Sequence, residues 1–291
     1  MGRFLEDYIS YLKIERAMSP STVASYSSDV RDFLAWIDSA GVRVGDVRTD
    51  HIVQYFGTLE GLSKRSQARF LSSLRSFFKW TVLEGYVKDN PCDAVDTPKI
   101  GRHLPAVLSE DEVSAIIDSV DTGSWNGLRD RAILEVLYGC GLRVSEVVGL
   151  KISNVYFKEG FVRIVGKGNK ERLVPIGGMA LNAVSDYLAV RPEPSDTASE
   201  DILFLNRDGR ALSRVSVFTM VKRQAMLAGV HKEISPHTFR HSFATHLVNH
   251  GADLRVVQDM LGHESILTTE IYTHIDTESW MRDVINHHPR R

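Results

Sequence analysis

Residues 88–105 read KDNPCDAVDTPKIGRHLP. Pro91, Pro98 and Pro105 fall in a stretch with neither the helical nor the alternating repeat of apolar positions. Proline cannot continue a helix or a central strand, and it pushes the residue before it out of the helical region. The stretch therefore reads as a linker. It divides the chain into a first domain at 1–90, a linker at 91–108 and a second domain at 109–291. The length of 291 residues suits two domains of the usual ~100–200 residues each.

Upstream of the linker everything reads as helix. Phe4, Leu5, Tyr8, Ile9 and Leu12 recur at helical spacing. A second helix is predicted to start at SPST (19–22), with Ser19 or Ser21 as its cap, and to run through Tyr26, Val30, Phe33, Leu34 and Ile37 to Gly41. A third lies near 49–58 and a fourth near 63–84. The fourth carries Lys64, Arg65, Arg69, Arg75 and Lys79, and no acidic residue occurs between Gly61 and Leu83. At about 100° per residue the five cations span an arc of roughly 140°. Phe70, Leu71, Leu74, Phe77 and Phe78 fall opposite. A single-sign basic face suits phosphate contacts, which give DNA affinity without reading sequence. A solvated surface is the alternative use of the same face.

Downstream, Ser109-Glu110-Asp111-Glu112 fits a capping box. Helices are predicted at 109–120, 126–139 and 143–150. VYFKEGFVRIVGKGNKERLVPI (155–176) is rich in β-branched and aromatic residues and broken by glycine turns, which predicts a small antiparallel sheet. Helices return at 177–190, 213–228, 236–250, 253–261 and 276–287. The predicted fold is mainly α with a small antiparallel β-sheet in the second domain.

The composition is 43% hydrophobic and 25% charged, ordinary for a soluble globular chain. No apolar run approaches the ~18 residues that span a bilayer. MGRFLEDYISYL carries acidic residues where a signal peptide is basic and then apolar. The expectation is a cytoplasmic protein with no membrane partner. Cys92 and Cys140 are far apart and form no C-x-x-C, which argues against a disulfide framework or a structural zinc. The net charge is −2, with 12 Lys/Arg against 13 Asp/Glu in residues 1–98 and 23 against 24 in the rest. Nucleic-acid binders commonly carry a basic excess. Any DNA-binding surface here must be local, with affinity that depends on oligomerisation and on salt.

Four segments of the second domain place basic or hydroxyl groups at turns and helix starts. GCGLRVSEVVGL (139–150) holds Arg143; GKGNKER (166–172) holds Lys167 between glycines; PHTFRHSFATH (236–246) opens with His237 and Arg240; LGHESILTTEIYTH (261–274) holds His263 and Tyr272. Arginine forks grip phosphate oxygens and keep their proton. Two of them can neutralise charge that develops in a phosphoryl transition state. Tyrosine can act as a covalent nucleophile, lysine on a glycine-flanked turn as a general acid, and histidine as a phosphate ligand or proton acceptor. The set points to transfer of a phosphodiester to tyrosine without a metal or cofactor. His237 and His241 stand at zinc-helix spacing, but HTFRH lacks the glutamate of H-E-x-x-H. Each residue also has a plainer use: Arg143 can pair with Glu146, Lys167 can be a solvated turn residue, and Tyr272 a half-buried aromatic.

GLRVSE, GKGNKER, PHTFRHSFATHLVNHGADLRVVQDMLGH and TTEIYTH resemble, in order and spacing, the motifs of the tyrosine recombinases, and among them the Xer type. The resemblance covers essentially the whole chain. It implies an N-terminal SAM-like helical core-binding domain and a catalytic domain that close as a C-shaped clamp on DNA. It implies that Arg143 and Arg240 clamp the scissile phosphate, that Lys167 protonates the leaving 5′-hydroxyl, and that His237 assists in acid/base work. His263 then bonds the phosphate, Tyr272 forms a 3′-phosphotyrosyl intermediate, and Glu146 supports the site from behind. The implied role is chromosome dimer resolution at cell division. The implied partners are a double-stranded recombination site, a homo- or hetero-tetramer on two duplexes with a paralogous recombinase, and a septal DNA translocase. Because the sequence opens directly on the clamp domain, the arm-binding domain of lambda-type integrases is not expected, which favours the Xer type. The tail of the chain, TESWMRDVINHHPRR (277–291), is expected to offer Trp280, Met281, Val284 and Ile285 to a neighbouring protomer, with packing on its own domain as the alternative. Three rivals remain: an integrase of a mobile element, a non-cleaving DNA-binding accessory protein, and a type IB topoisomerase.

Overall fold

The structure is a computed structural model, in which residues 2–98, 106–166, 171–262 and 284–290 are described. The chain divides into two compact units, Met1–His103 and Leu104–Arg291. Among the described residues no helix is long and apolar enough to cross a membrane.

The first unit is built from α1 (Gly2–Ile14), α2 (Pro20–Ser39), α3 (Thr49–Thr58) and α4 (Lys64–Leu83). Local chemistry starts the two long helices. Ser19 Oγ accepts the N–H of Thr22, with Pro20 preset in the first turn, and Ser63 Oγ accepts the N–H of Ser66 at 3.1 Å. The core between them is aromatic. Phe33, Phe77 and Phe78 are fully buried and meet edge to face, and Tyr8 packs against Phe77 at 5.3 Å.

The basic face of α4 departs from the expected unbroken stripe. Arg69 reaches back to α2, where it pairs with the buried Asp29, which also accepts from Ser73 Oγ at 2.7 Å. Arg75 donates to the carbonyls of Val95 (2.6 Å) and Cys92 (3.4 Å) and to Thr97 Oγ1 (2.9 Å), which ties down the chain that leaves this unit. Lys64, Arg65 and Lys79 remain exposed, and Arg69 is itself still partly open to solvent, with 45% of its side chain exposed. Two of the five cations thus hold the first unit together.

The second unit contains α5 (Glu110–Asp118), α6 (Trp125–Gly139), α7 (Val144–Val148), the strands β1 (Val155–Tyr156), β2 (Phe161–Val165) and β3 (Glu171–Pro175), then α8 (Gly178–Leu188), α9 (Arg214–Leu227), α10 (Pro236–Asn249) and α11 (Leu254–Leu261). The capping box at Ser109 forms in both directions: Glu112 N–H donates to Ser109 Oγ at 3.1 Å, and Ser109 N–H donates to Glu112 Oε2 at 2.7 Å. α6 is the axis of the unit. Ala132 through Tyr138 are all buried, with Glu135 the one charged residue among them. The strands make an antiparallel sheet in the order β1-β2-β3, with Phe161 opposite Pro175 and Val165 opposite Glu171. Val162 and Ile164 point into the core.

Of the four tail residues expected to dock on a neighbour, Val284 is buried in its own unit and Ile285 is half-buried. Residues 284–287 are helical, and Val284 is buried in the core of its own unit. His288 meets Tyr138 edge to face at 5.1 Å and packs at a tilt on Phe243 at 5.6 Å. Arg290 pairs with the buried Glu135 at 2.7 Å and donates to Ser114 Oγ at 3.0 Å. Trp280 and Met281 lie outside the described residues.

Candidate active site

The site is assembled where α7, α10, α11 and β3 meet. Gly141 starts it. Its φ of +59° is in the left-handed region, and a Cβ there would lie 2.4 Å from the Phe243 ring. This turn sets up Arg143 as the residue that precedes α7. Glu146, one turn on, accepts the Arg143 backbone N–H at 2.8 Å and Arg143 Nη1 at 2.9 Å. The carboxylate serves as both N-terminal cap and ion-pair partner. The anticipated Arg143–Glu146 pair therefore forms, and Arg143 still spends only two of its five N–H donors on described residues.

α10 brings the second arginine. Pro236 is preset for a helix start, and Phe239, Phe243 and Leu247 are fully buried and anchor the helix. Arg240 is thereby held almost completely inside, with Nη1 donating to the Gly141 carbonyl at 2.6 Å and Nη2 to the Leu261 carbonyl. Its guanidinium pKa is pushed down to about 10, first by burial and then by the neighbouring charges of Arg143 and Arg172, which outweigh Glu146. Arg240 stays protonated at neutral pH. His237 is exposed one turn earlier on the same helix, and His241 is exposed one residue after Arg240. His246 points inward, 2.8 Å from the Tyr138 hydroxyl.

β3 contributes a residue that the motif reading passed over. Arg172 Nη1 and Nη2 donate to the two oxygens of Glu146 at 2.9 and 2.8 Å, and Nε donates to the Met260 carbonyl at 2.8 Å. Its signal was in plain view at the end of GKGNKER, but sequence alone does not say which cation of that turn faces inward. Burial pushes the Glu146 carboxyl up, yet the bonds and charge of Arg172, then Arg143, outweigh it and hold the group below its ordinary range.

Among the described residues, three guanidiniums and one carboxylate leave the cluster with an excess of positive charge in a partly buried setting. Such a cluster is built to take an anion, and a phosphodiester matches its forks. Gly262 ends α11 in the left-handed conformation, φ +62°, and its carbonyl accepts from Arg143 Nη2 at 3.0 Å. His263 is the next residue of the chain. Lys167, His263 and Tyr272 lie outside the described residues.

Residues 106–279 match the model of the phage integrase family, and residues 5–85 match the phage integrase N-terminal SAM-like domain. The chain belongs to the tyrosine recombinases of the phage integrase family. This recombinase is 45% identical over 293 residues to the tyrosine recombinase XerD of Chlorobaculum tepidum, covering 98% of this chain and 96% of that one. It is 40% identical over 295 residues to the tyrosine recombinase XerD of Staphylococcus aureus, with both chains fully covered. Among solved structures it is similar to the XerH site-specific recombinase bound to a palindromic difH substrate in a post-cleavage complex. That likeness has a TM-score of 0.71 at 24% identity over 88% of this chain and 77% of the other, and it speaks to the fold. The recombinase is an enzyme that cuts and rejoins DNA strands.

Proposed function

We propose that this recombinase exchanges DNA strands at a specific chromosomal site, through Tyr272, in the resolution of chromosome dimers at cell division. Arg143 and Arg240 hold the scissile phosphate, and His263 bonds it from the segment that follows α11. The Tyr272 oxygen attacks phosphorus, its proton passing to His237 or to solvent, and the phosphorus–O5′ bond breaks. Lys167 gives its proton to the departing 5′ oxygen. The 5′-hydroxyl of a partner strand then attacks the phosphotyrosine and releases the tyrosine, so the bond energy is conserved and ATP is not consumed.

The single observation that carries this reading is the convergence of Arg143 and Arg240 in one cluster with surplus positive charge, beside the helix end that leads into His263. The XerD relatives support the chromosomal role over that of a mobile-element integrase. On this reading the protein binds a duplex recombination site and works as a tetramer on two duplexes, with itself or a paralogue, under the control of a septal DNA translocase. The exposed cations of α4 add phosphate contacts.

The test is covalent trapping. The protein is incubated with a nicked duplex that carries its site, in chelator, and run on a denaturing gel. A shifted band that vanishes with Tyr272→Phe is the expected result. A band that persists in that variant removes Tyr272 as the nucleophile. No band, on DNA that the protein demonstrably binds and with a paralogue added, favours a non-cleaving accessory protein.

A further inference from the structure

Arg172 is mostly buried, with 10% of its side chain exposed, and it spends three of its five N–H donors on described residues. Two go to Glu146 in a fork that fixes direction as well as energy. The third goes to the Met260 carbonyl. Glu146 passes the constraint on, because the same two oxygens accept Arg143 Nη1 and the Arg143 backbone N–H. The end of α11 is caught in the same net. Its carbonyls at Met260, Leu261 and Gly262 each accept from a different arginine: Arg172, Arg240 and Arg143 in turn. These are carbonyls that a helix end leaves without partners of its own.

The electrostatics give Arg172 a purpose beyond packing. Glu146 has 7% of its side chain exposed, whereas Arg143 has 38%. A nearly buried carboxylate with one cation would draw that cation fully onto itself. Arg172 satisfies both oxygens, so Arg143 gives Glu146 a single side-chain bond and, among the described residues, keeps donors for an incoming anion.

We propose that Arg172 is a positioning residue for strand cleavage. It neutralises and fixes Glu146, and so keeps Arg143 directed at the phosphate, without touching DNA itself. This rests on the assignment of Arg143 to the scissile phosphate made above.

The experiment uses the full chain and a nicked duplex, with protein in excess and DNA saturated. Under these conditions the first-order rate constant of adduct formation is read separately from binding and from the active fraction. Arg172→Met should leave site affinity within about 3-fold and slow cleavage about 100-fold, the scale of a misaimed catalytic group. Arg172→Lys keeps the charge but not the fork and should lose about 10-fold. In an Arg143→Lys background, which is itself slow, the further loss from Arg172→Met should shrink below about 3-fold, since the two changes remove one function.

A lower adduct yield at an unchanged rate constant would assign Arg172 to stability alone and overturn the proposal. So would a full loss repeated in the Arg143→Lys background. If Arg143→Lys cleaves like the parent, the assignment of Arg143 fails and this inference fails with it. If Arg172→Met does not fold, the same reading is taken from Arg172→Lys, where an unchanged rate constant overturns the proposal.

Discussion

Gly141 shows how much one residue can decide. Its left-handed backbone and the Phe243 ring against it leave no place for a side chain. Gly141→Ala combines backbone strain with a clash in the core, and should cost roughly 2–4 kcal/mol in urea unfolding. The same turn carries the carbonyl that holds Arg240 and leads into Arg143, so cleavage should fall further than stability alone explains. Lys167 is predicted to matter in a different way. A general acid acts only as the bond breaks. Lys167→Ala should therefore slow adduct formation about 100-fold or more and change site affinity little. Equal losses in both measurements would make Lys167 a solvated turn residue.

Helix α4 is the element that departs furthest from its sequence pattern. As a helical wheel it offers five cations of one sign; folded, two of them, Arg69 and Arg75, are committed to partners in the first unit, and three carry no ion pair among the described residues. The two groups should separate in measurement. Lys64→Ala, Arg65→Ala and Lys79→Ala should each weaken DNA binding evenly across sequences. Each should also lower the slope of log affinity against log salt by about 0.9 for every phosphate no longer neutralised. Arg69→Ala leaves the Asp29 carboxylate buried with only Ser73 to satisfy it, and should destabilise the first unit by roughly 1–3 kcal/mol. A normal melting curve for Arg69→Ala together with a reduced salt slope would return Arg69 to the DNA face.

At the scale of the molecule, the described end of the tail closes onto α6, some 150 residues earlier in the chain, and onto α10. His288 is buried between Tyr138 and Phe243, and its pKa is pushed down to about 4 because burial disfavours the charged ring. His246 is shifted the same way, again chiefly by burial. A histidine with a folded pKa below its unfolded value binds more protons unfolded, so stability rises with pH across the window between the two. From an ordinary value of 6.5 down to about 4, His288 alone should withdraw up to about 3 kcal/mol from the second unit. His288→Phe should flatten the pH dependence of unfolding across that window. An unchanged slope would mean that the tail leaves its seat in solution.

Much of this protein is determined locally. Prolines at 91, 98 and 105 mark the division, serines at 19, 63 and 109 start helices by capping them, and alternation with glycine turns makes the small sheet. These depend on φ restriction, hydrogen bonds three residues apart and side-chain period, all of which a single stretch of chain contains. The motif arginines were legible for the same reason. Their partners were not. Arg172 on Glu146, Arg69 on Asp29 and Arg290 on Glu135 join residues 26, 40 and 155 positions apart. Sequence says that a cation is present, but not which buried carboxylate it must neutralise. Only the packing of distant elements decides that, because burial is what makes an unpaired charge too costly to leave alone.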